Sequence, residues 1–414
     1  MSQDTQPSKK QTQLQILSTV FTPSSPIVSQ DLFFGRFNQI NKIVDAINEK
    51  GQHAVLYGDR GVGKTSLANI AREKLTNIII VKVTCNRTES FKEIWQKAFK
   101  QITLLNQRGG VGFTAVPTTH PVQLDLFLPQ AEEIDSSDIL TALSNINNLV
   151  LCIFDEFDSV KNPDTLLRFA DTIKALSDNA PNVTLLMVGI AKDVTDLIGS
   201  HPSNDRCIKQ IKLPRMSPVE LAEIVDNGVQ KLGMTIDKSV KSDIVEFSNG
   251  FPHYTHLLAK YSARIAIEAQ ANHIDRNHFN LAVDDAIDNA QEFIRDMYQK
   301  AALSYKSDAI FNHIIAACAI VQEDEYGTFG ISDVEEPLNK MTGKQYSSQS
   351  FSYHVSKLCE EERGKILEKV KLGKLNRYKF TNPLLRAFVK IKLYQKQLAS
   401  QQPIPFTSIL SSNS

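Results

Sequence analysis

The sequence has few cysteines and no close pair of them, since the five lie far apart at Cys85, Cys152, Cys207, Cys318 and Cys359. It therefore offers neither a disulfide framework nor a Cys-x-x-Cys zinc site. It also lacks the apolar N-terminal segment of a signal peptide, and its longest apolar stretch, residues 310–321, is too short to cross a membrane. The number of lysines and arginines equals the number of aspartates and glutamates, 46 each, so the overall charge does not favour binding to nucleic acid. These absences favour a cytoplasmic protein whose basic surfaces, if it has any, are local.

The length of 414 residues predicts two or three domains. Residues 1–30 show no hydrophobic periodicity and are predicted to be a flexible arm. The remaining sequence divides by its hydrophobic pattern into an α/β core, an all-helical module, a unit of three helices with a β-hairpin, and a flexible tail. These segments are residues 31–216, 217–300, 305–398 and 399–414. Three helices followed by a hairpin predict a winged helix.

The core segment alternates apolar runs with helical patterns, which predicts a parallel sheet with helices on both faces. The runs are His53–Tyr57, Ile78–Val83, Leu149–Phe154 and Val183–Ile190. Residues 106–137 are rich in Gly, Pro, Thr and Gln and are predicted to be an insertion loop. From Ser217 the strands stop, and Ser217, Pro218 and Glu220 form the start signal of a helix.

The first run leads directly into a segment that matches G-x-x-x-x-G-K-[ST], with Ser66 next to it: Gly58, Asp59, Arg60, Gly61, Val62, Gly63, Lys64, Thr65. Glycines let backbone N–H groups point inward around phosphates, Lys64 reaches the β- and γ-phosphates, and Thr65 ligates Mg²⁺. The alternative is a structural glycine-rich turn. The position between a predicted strand and a predicted helix favours the phosphate-binding loop, and hence ATP with Mg²⁺.

A second signal is the apolar run that ends at Asp155 and Glu156. A carboxylate at the end of such a strand can hold the metal, and the next one can activate water. The pattern alone is common, but it follows the phosphate-binding loop by about 90 residues, as expected of a P-loop ATPase. Asp155 is predicted to be a metal ligand, Glu156 the catalytic base, and Asp158 a solvated side chain.

Phe34-Gly35-Arg36, the following helix, the P-loop and Asp155-Glu156 together resemble an AAA+ ATPase of the initiator clade. Origin-recognition and Cdc6-type proteins belong to this clade, and STAND signalling ATPases share the same opening. The resemblance covers most of residues 31–395 and implies an ATPase core, a helical lid and a winged helix. It also implies an adenine contact near Phe34, Gly35 and Arg36, and a catalytic Arg206 that acts on a neighbouring subunit in an ATP-bound oligomer. A surface arginine or a local salt bridge is the alternative for Arg206.

Two departures from this family pattern predict slow hydrolysis. The fourth strand ends in Val188-Gly189-Ile190-Ala191, without the usual polar sensor residue, and only Lys192 and Asp193 follow as substitutes. The lid has Gly250-Phe251-Pro252-His253-Tyr254 where a sensor arginine is usual, and this segment resembles the G-x-P motif of STAND proteins. His253 is predicted to lie near a phosphate; packing at the start of a helix is the alternative.

The C-terminal hairpin is basic. If the side chains of Lys369, Lys371, Lys374, Arg377 and Lys379 all meet DNA phosphates, log K should fall against log salt with a slope of roughly −4 to −5. Ser352, Tyr353, His354 and Lys357 lie on the candidate recognition helix. The leading hypothesis is therefore a nucleotide-dependent switch that acts on duplex DNA or a DNA-bound partner. The alternatives are a STAND-like signalling or defence switch with a protein partner, and a scaffold that hardly hydrolyses.

Overall fold

The computed structural model describes most of the chain, and its residues form two compact units. The described residues are 9–23, 25–26, 36–75, 77–108, 118–144, 146–191, 206–288, 290, 292–302, 310–324, 327–372 and 375–400. Residues 26–215 form an α/β unit, and residues 1–25 join residues 216–414 in a helical unit.

The helices in chain order are α1 Lys9–Val20, α2 Phe37–Asn48, α3 Lys64–Lys74, α4 Phe91–Phe99, α5 Ser136–Leu143, α6 Pro163–Asn179, α7 Pro218–Lys231, α8 Lys238–Ser248, α9 Pro252–Glu268, α10 Arg276–Asp288, α11 Glu292–Ala302, α12 Ile310–Ile320, α13 Glu335–Thr342, α14 Ser348–Lys357 and α15 Pro383–Ser400. The strands are β1 His53–Gly58, β2 Ile78–Thr84, β3 Thr103–Arg108, β4 Thr118–Gln123, β5 Leu149–Asp155, β6 Val183–Ile190, β7 Ile208–Lys212, β8 Thr235–Ile236, β9 His273–Ile274, β10 Leu367–Leu372 and β11 Leu375–Phe380. Short 3-10 helices cover Leu124–Phe127, Phe157–Ser159, Ser332–Val334 and Glu361–Arg363.

The α/β unit is built on a five-stranded parallel sheet in the order β2-β5-β6-β1-β7. The predicted parallel sheet is therefore confirmed. Its central strands are almost fully buried because helices cover both faces. All five strands point the same way, so the P-loop after β1 and the carboxylates after β5 lie at one edge of the sheet, with the end of β6 between them.

The predicted insertion loop over residues 106–137 is only partly correct. Within it, β3 and β4 pair as an antiparallel hairpin, from Thr103 opposite Gln123 to Arg108 opposite Thr118. The hairpin is followed by a 3-10 turn, in which Leu124 is buried in the core while Leu126 and Phe127 are exposed. Composition favoured a loop here, but β pairing depends on a partner strand, which composition does not reveal.

After the α/β unit, the chain enters the helical unit at the predicted start signal. Ser217 Oγ accepts a hydrogen bond from the backbone N–H of Glu220, and the Glu220 carboxylate accepts one from the N–H of Ser217. This reciprocal capping, with Pro218 at the first helical position, fixes where α7 begins. The only strands in the described part of residues 217–300 are the two-residue pair β8 and β9.

The prediction of a flexible arm is wrong for residues 9–23, which form α1 and a short extension packed on α7 and α9. Leu17, Val20 and Phe21 are buried by this packing, and Phe21 is completely inaccessible. The side-chain amide of Gln13 donates to the carbonyl of Leu232 at 3.1 Å. Residues 9–23 are therefore part of the helical unit.

The elements predicted for a winged helix are present in the described residues, in the predicted order: α12, α13, α14, then the β10–β11 hairpin. Phe329 adds a single bridge to Tyr378 of the hairpin. The last helix, α15, packs on helices from both predicted modules, including α8, α10, α11 and α12. Residues 217–300 and 305–398 therefore belong to one compact unit, and their division into two domains stays a prediction.

None of the helices in the described ranges combines the length and the apolar character that crossing a membrane requires.

Candidate nucleotide site

The P-loop glycines have the roles that the motif predicts. Gly61 and Gly63 have φ angles of 82° and 93°, a left-handed region that favours residues without a Cβ. Gly58 is required for a different reason, since a Cβ there would lie 2.3 Å from the carbonyl oxygen of Leu213, just after β7. The loop therefore turns into α3 with its first helical N–H groups facing the loop. Arg60 is exposed, Val62 is buried, and Ser66 lies in the first turn of α3.

The Lys64 side chain donates hydrogen bonds to the first two residues of the loop. Its ammonium donates to the carbonyls of Gly58 at 3.0 Å and Asp59 at 2.8 Å. Burial lowers the pKa of Lys64 to about 8, although the negative charges of Asp158, Asp59 and Asp155 raise it. The side chain therefore lies at the loop, and the carbonyls that it contacts hold it there.

Thr65 and Asp155 come together, as predicted for a metal site. The Thr65 hydroxyl donates to Asp155 Oδ1 at 3.2 Å, although the two residues are 90 positions apart. Asp155 is only 3% exposed, and its Oδ1 also accepts the backbone N–H of Glu156 at 3.0 Å. A hydroxyl and a carboxylate side by side are hard oxygen donors of the kind that Mg²⁺ prefers.

Lys82, on the edge strand β2, also belongs to the site, although it was not predicted from the sequence. Its ammonium lies 3.0 Å from Asp155 Oδ2 and donates to Asn69 Oδ1 of α3 at 2.8 Å. A cation thus already lies against the carboxylate that is predicted to hold the metal. The signal was a lysine in the middle of an otherwise apolar β-branched run.

Glu156 follows Asp155 with a left-handed backbone, φ 54°, which is unusual for a residue other than glycine. Its side chain is exposed at the carboxyl edge of the sheet. Strained backbone of this kind costs about 1–3 kcal/mol and persists where the surroundings impose it, often at functional sites. The geometry therefore leaves the Glu156 carboxylate accessible next to the buried Asp155.

Asp158 is only partly solvated, so the prediction of a solvated side chain is only partly correct. The residue is half-buried, and its Oδ1 accepts the backbone N–H of Ile190 at 2.8 Å. This bond ties the end of β6 to the segment after β5. None of the residues from Val188 to Ala191 has a polar side chain, and Lys192 and Asp193 lie outside the described residues.

Arg206 lies just before β7, at the predicted place along the chain. Its side chain is 71% exposed and pairs with Asp178 at 3.1 Å. The local salt bridge that was the alternative is therefore present, but it is exposed and contributes little stability. The exposure of Arg206 is compatible with an additional contact to a second subunit, and that role stays a prediction.

The predicted adenine contact can be followed only at Arg36. Phe34 and Gly35 lie outside the described residues. Arg36 stands at the start of α2 with a left-handed backbone, φ 62°, and is 5% exposed. Its contact with adenine stays a prediction.

His253 is held by the N-terminal segment. Its Nδ1 lies 2.7 Å from the carbonyl oxygen of Pro23, and its pKa is lowered by burial. The packing alternative at the start of α9 is thus observed, and the phosphate contact stays a prediction.

The basic side chains of the hairpin are less available for contacts with DNA phosphates than predicted. Arg377 pairs with Asp324 at 3.0 Å and donates to the hydroxyl and carbonyl of Thr328. Lys379 lies 3.5 Å from Glu368. For Lys369 and Lys371 the described part of the chain shows no ion pair, and both are exposed. Lys374 lies outside it.

Comparison with known proteins agrees with this geometry. The family model described as Novel STAND NTPase 1 matches residues 27–280, which is more than half of the chain. The chain belongs to the Novel STAND NTPase 1 family. This places it among P-loop NTPases, and the predicted P-loop NTPase with STAND features is confirmed. A search of the curated proteins gave no match.

Two solved structures match over most of the chain, and the first of them shows a similar fold. The Walker-type ATPase of Pyrococcus abyssi superposes with a TM-score of 0.54 at 14% identity, over 90% of this chain and 99% of that one. The Orc1 protein of Aeropyrum pernix, in complex with DNA, matches over 93% of this chain and 98% of that one, with a TM-score of 0.47 at 15% identity. At these identities the likeness concerns the fold, so nucleotide binding by this NTPase rests on the family and on the loop geometry.

Proposed function

We propose that the protein is a Mg-ATP-binding switch that hydrolyses ATP slowly. The observation that carries the proposal is the contact of Thr65 with Asp155, which places two Mg²⁺-type ligands beside the P-loop with Glu156 accessible next to them. Membership of the NTPase family supports the nucleotide, and the site residues support the metal and the reaction.

Each side chain has a separate task in this proposal. Lys64 leaves the carbonyls of Gly58 and Asp59 to meet the β- and γ-phosphates, because phosphate oxygens are stronger acceptors than carbonyls. Thr65 and Asp155 hold Mg²⁺, which neutralises the phosphate charge when bound. Glu156 accepts a proton from the attacking water.

Slow turnover follows from the end of β6. There the backbone N–H of Ile190 is already bonded to Asp158, and Val188, Gly189 and Ala191 offer no side chain that could orient water. Orientation of the nucleophile is a large part of the barrier reduction in phosphoryl transfer. A state that persists with ATP bound suits a switch better than a motor.

The test is calorimetric titration of ATP with Mg²⁺ into the intact protein, together with a turnover assay. The wild type should bind ATP and hydrolyse it slowly. Lys64→Ala should lose most of the affinity, because it removes the mobile cation on the phosphates. Arg60→Ala is the matched control, since Arg60 is exposed in the same loop and makes no contact that the motif requires. Tight ATP binding by Lys64→Ala would overturn the P-loop assignment.

The partner on which the switch acts is proposed to be a protein, in keeping with the STAND family to which the chain belongs. Self-assembly with ATP, which a switch of this kind is expected to show, is tested by size-exclusion chromatography with light scattering, with ATP and with ADP. ATP-dependent assembly supports this proposal, and an unchanged monomer in both states contradicts it.

DNA is a second candidate because Lys369 and Lys371 are exposed on the hairpin and Tyr353 is exposed on α14. With Arg377 and Lys379 already paired, these two lysines alone predict a slope of about −2 in log K against log salt. The steeper slope of −4 to −5 would require Arg377 and Lys379 to leave Asp324 and Glu368.

The DNA test uses the intact chain, because α15 packs on helices outside the hairpin region. Fluorescence anisotropy with a labelled duplex should give the slope, and Lys369→Ala with Lys371→Ala should remove it for any DNA sequence. Lys340→Ala is the control, since Lys340 is paired with Glu336 on α13. No binding at low salt would eliminate DNA as a partner of this hairpin.

A further inference from the structure

Lys82 is positioned by contacts from several elements. Its backbone N–H donates to Gln101 Oε1 at 3.2 Å, and its carbonyl accepts from Gln101 Nε2 at 2.9 Å. These bonds satisfy the free edge of β2 at this residue. From this fixed position the side chain extends to Asn69 on α3 and to Asp155 at the end of β5.

Asn69 belongs to the same helix face as Thr65, since the two are four residues apart on α3. Lys82 therefore contacts the helix that carries the predicted metal hydroxyl and also the strand that carries the predicted metal carboxylate. The Lys82 side chain is 19% exposed and that of Asp155 is 5% exposed, so water screens this pair only weakly.

We propose that Lys82 acts as a stand-in cation that competes with Mg²⁺ for Asp155. Without metal, its ammonium neutralises a buried carboxylate, which would otherwise be costly to keep charged. Mg²⁺ needs the full negative charge of this carboxylate and a short distance to its oxygen. Two cations on one carboxylate repel each other. The long, flexible lysine side chain must therefore move away from Asp155 when the metal enters.

The consequence is a coupling between metal entry and the Lys82 contact. The empty site keeps its charge balanced, and loading requires enough Mg²⁺ and nucleotide to break that contact. This inference rests on the proposed Mg-nucleotide site, and it makes Lys82 a residue that sets the Mg²⁺ requirement.

The test is a Mg²⁺ titration of binding of a fluorescent ADP analogue to the intact protein. Lys82→Met removes the charge and keeps much of the side-chain volume, so the Mg²⁺ midpoint should fall about tenfold, equivalent to about 1.4 kcal/mol. Lys209→Met is the matched control, because Lys209 lies on the other edge strand, β7, and pairs with Asp45 at 3.5 Å. That variant should keep the wild-type midpoint.

A second readout needs no nucleotide. In the presence of EDTA, Lys82→Met should melt several degrees below the wild type, because Asp155 loses its partner. Saturating Mg²⁺ with ADP should close most of that gap. Asn69→Ala, which keeps the Lys82 charge but removes one anchor, should shift the Mg²⁺ midpoint in the same direction by less.

The outcomes separate the two proposals. Wild-type protein that binds the analogue without any need for Mg²⁺, or does not bind it, contradicts the proposed function. If the wild type needs Mg²⁺ but Lys82→Met has an unchanged or higher Mg²⁺ midpoint, competition between Lys82 and Mg²⁺ for Asp155 is refuted. A higher midpoint would instead mean that Lys82 orients Asp155.

Discussion

Phe21 anchors the N-terminal segment in the helical unit, and its removal gives a quantitative test of that packing. The ring is completely buried and lies edge-on to His256, with ring centroids 6.0 Å apart. It also fills the space beside Gly228, where an added Cβ would come within 2.2 Å of the ring. Because so little room surrounds the ring, Phe21→Ala should leave a cavity and cost about 3–5 kcal/mol.

In a unit of this size each kcal/mol corresponds to about 2–4 °C, so the expected fall in melting temperature is about 10 °C. Far-ultraviolet circular dichroism measures it, since helices dominate this unit. Fluorescence of Trp95, the single tryptophan, reports on the α/β unit and serves as an internal reference. Phe293→Ala is the control, because that ring is 59% exposed on α11.

The contact with Gly228 permits a stricter test. Gly228→Ala alone should destabilise the unit, because its new methyl group meets the Phe21 ring. In the Phe21→Ala background the same methyl enters the cavity, so the two losses should not add. If Phe21→Ala melts within 2 °C of Phe293→Ala (about 0.5–1 kcal/mol), or if the two losses are additive, the packing argument is refuted.

Three further predictions concern catalysis, assembly and acid stability. Glu156→Gln should keep ATP bound and stop turnover, since it removes the base but keeps the shape; an unchanged rate of phosphate release would assign water activation elsewhere. A mixture of Arg206→Ala and Lys64→Ala proteins should regain part of the activity if Arg206 acts across a subunit boundary, whereas mixed assemblies without activity would exclude that role. Burial lowers the pKa of both His53 and His256 to about 4, below the unfolded value, so the stability that each neutral ring contributes is present above about pH 6.5 and is lost as the pH falls toward 4. At pH 5 each of these two rings should lower the free energy of unfolding by about 2 kcal/mol relative to its value above pH 6.5. His256→Leu should therefore flatten the pH dependence of the urea midpoint, and an unchanged dependence would contradict the assignment.

The parts of the site that lie close together in the sequence were predictable. The P-loop from Gly58 to Thr65 is contiguous, and its position between a strand and a helix already determines which way its N–H groups point. The place of Asp155 and Glu156 was predictable because an apolar run ends there, and parallel strands end at the same edge of a sheet.

Lys82 and Asp158 were not predictable, because their roles depend on which strands are neighbours. Lys82 contacts Asp155 only because β2 pairs with β5, and Asp158 meets Ile190 only because β6 lies next to β5. A single sequence gives the strands but not their order.

The flexible-arm error has a different cause. Leu14, Leu17 and Phe21 fall at i, i+3 and i+7, which is the spacing of a helix face. Gln, Ser and Thr dominate the same stretch, so this short apolar spacing is easily overlooked. The helix forms because α7 and α9 provide an apolar surface for that face, a tertiary effect that local sequence does not show.

The placement of α1 also has a consequence for the order of events on the ribosome. The helix is synthesised well before its packing partners, since the helices that bury Leu17, Val20 and Phe21 begin only at Pro218, about 200 residues later. At ordinary translation speeds of about 5–20 residues per second, its apolar face waits about 10–40 s for its partners. The α/β unit is thus complete in the chain before the helical unit can close around its first segment. An expression trial that trims the first 25 residues as a dispensable tail would remove part of a core.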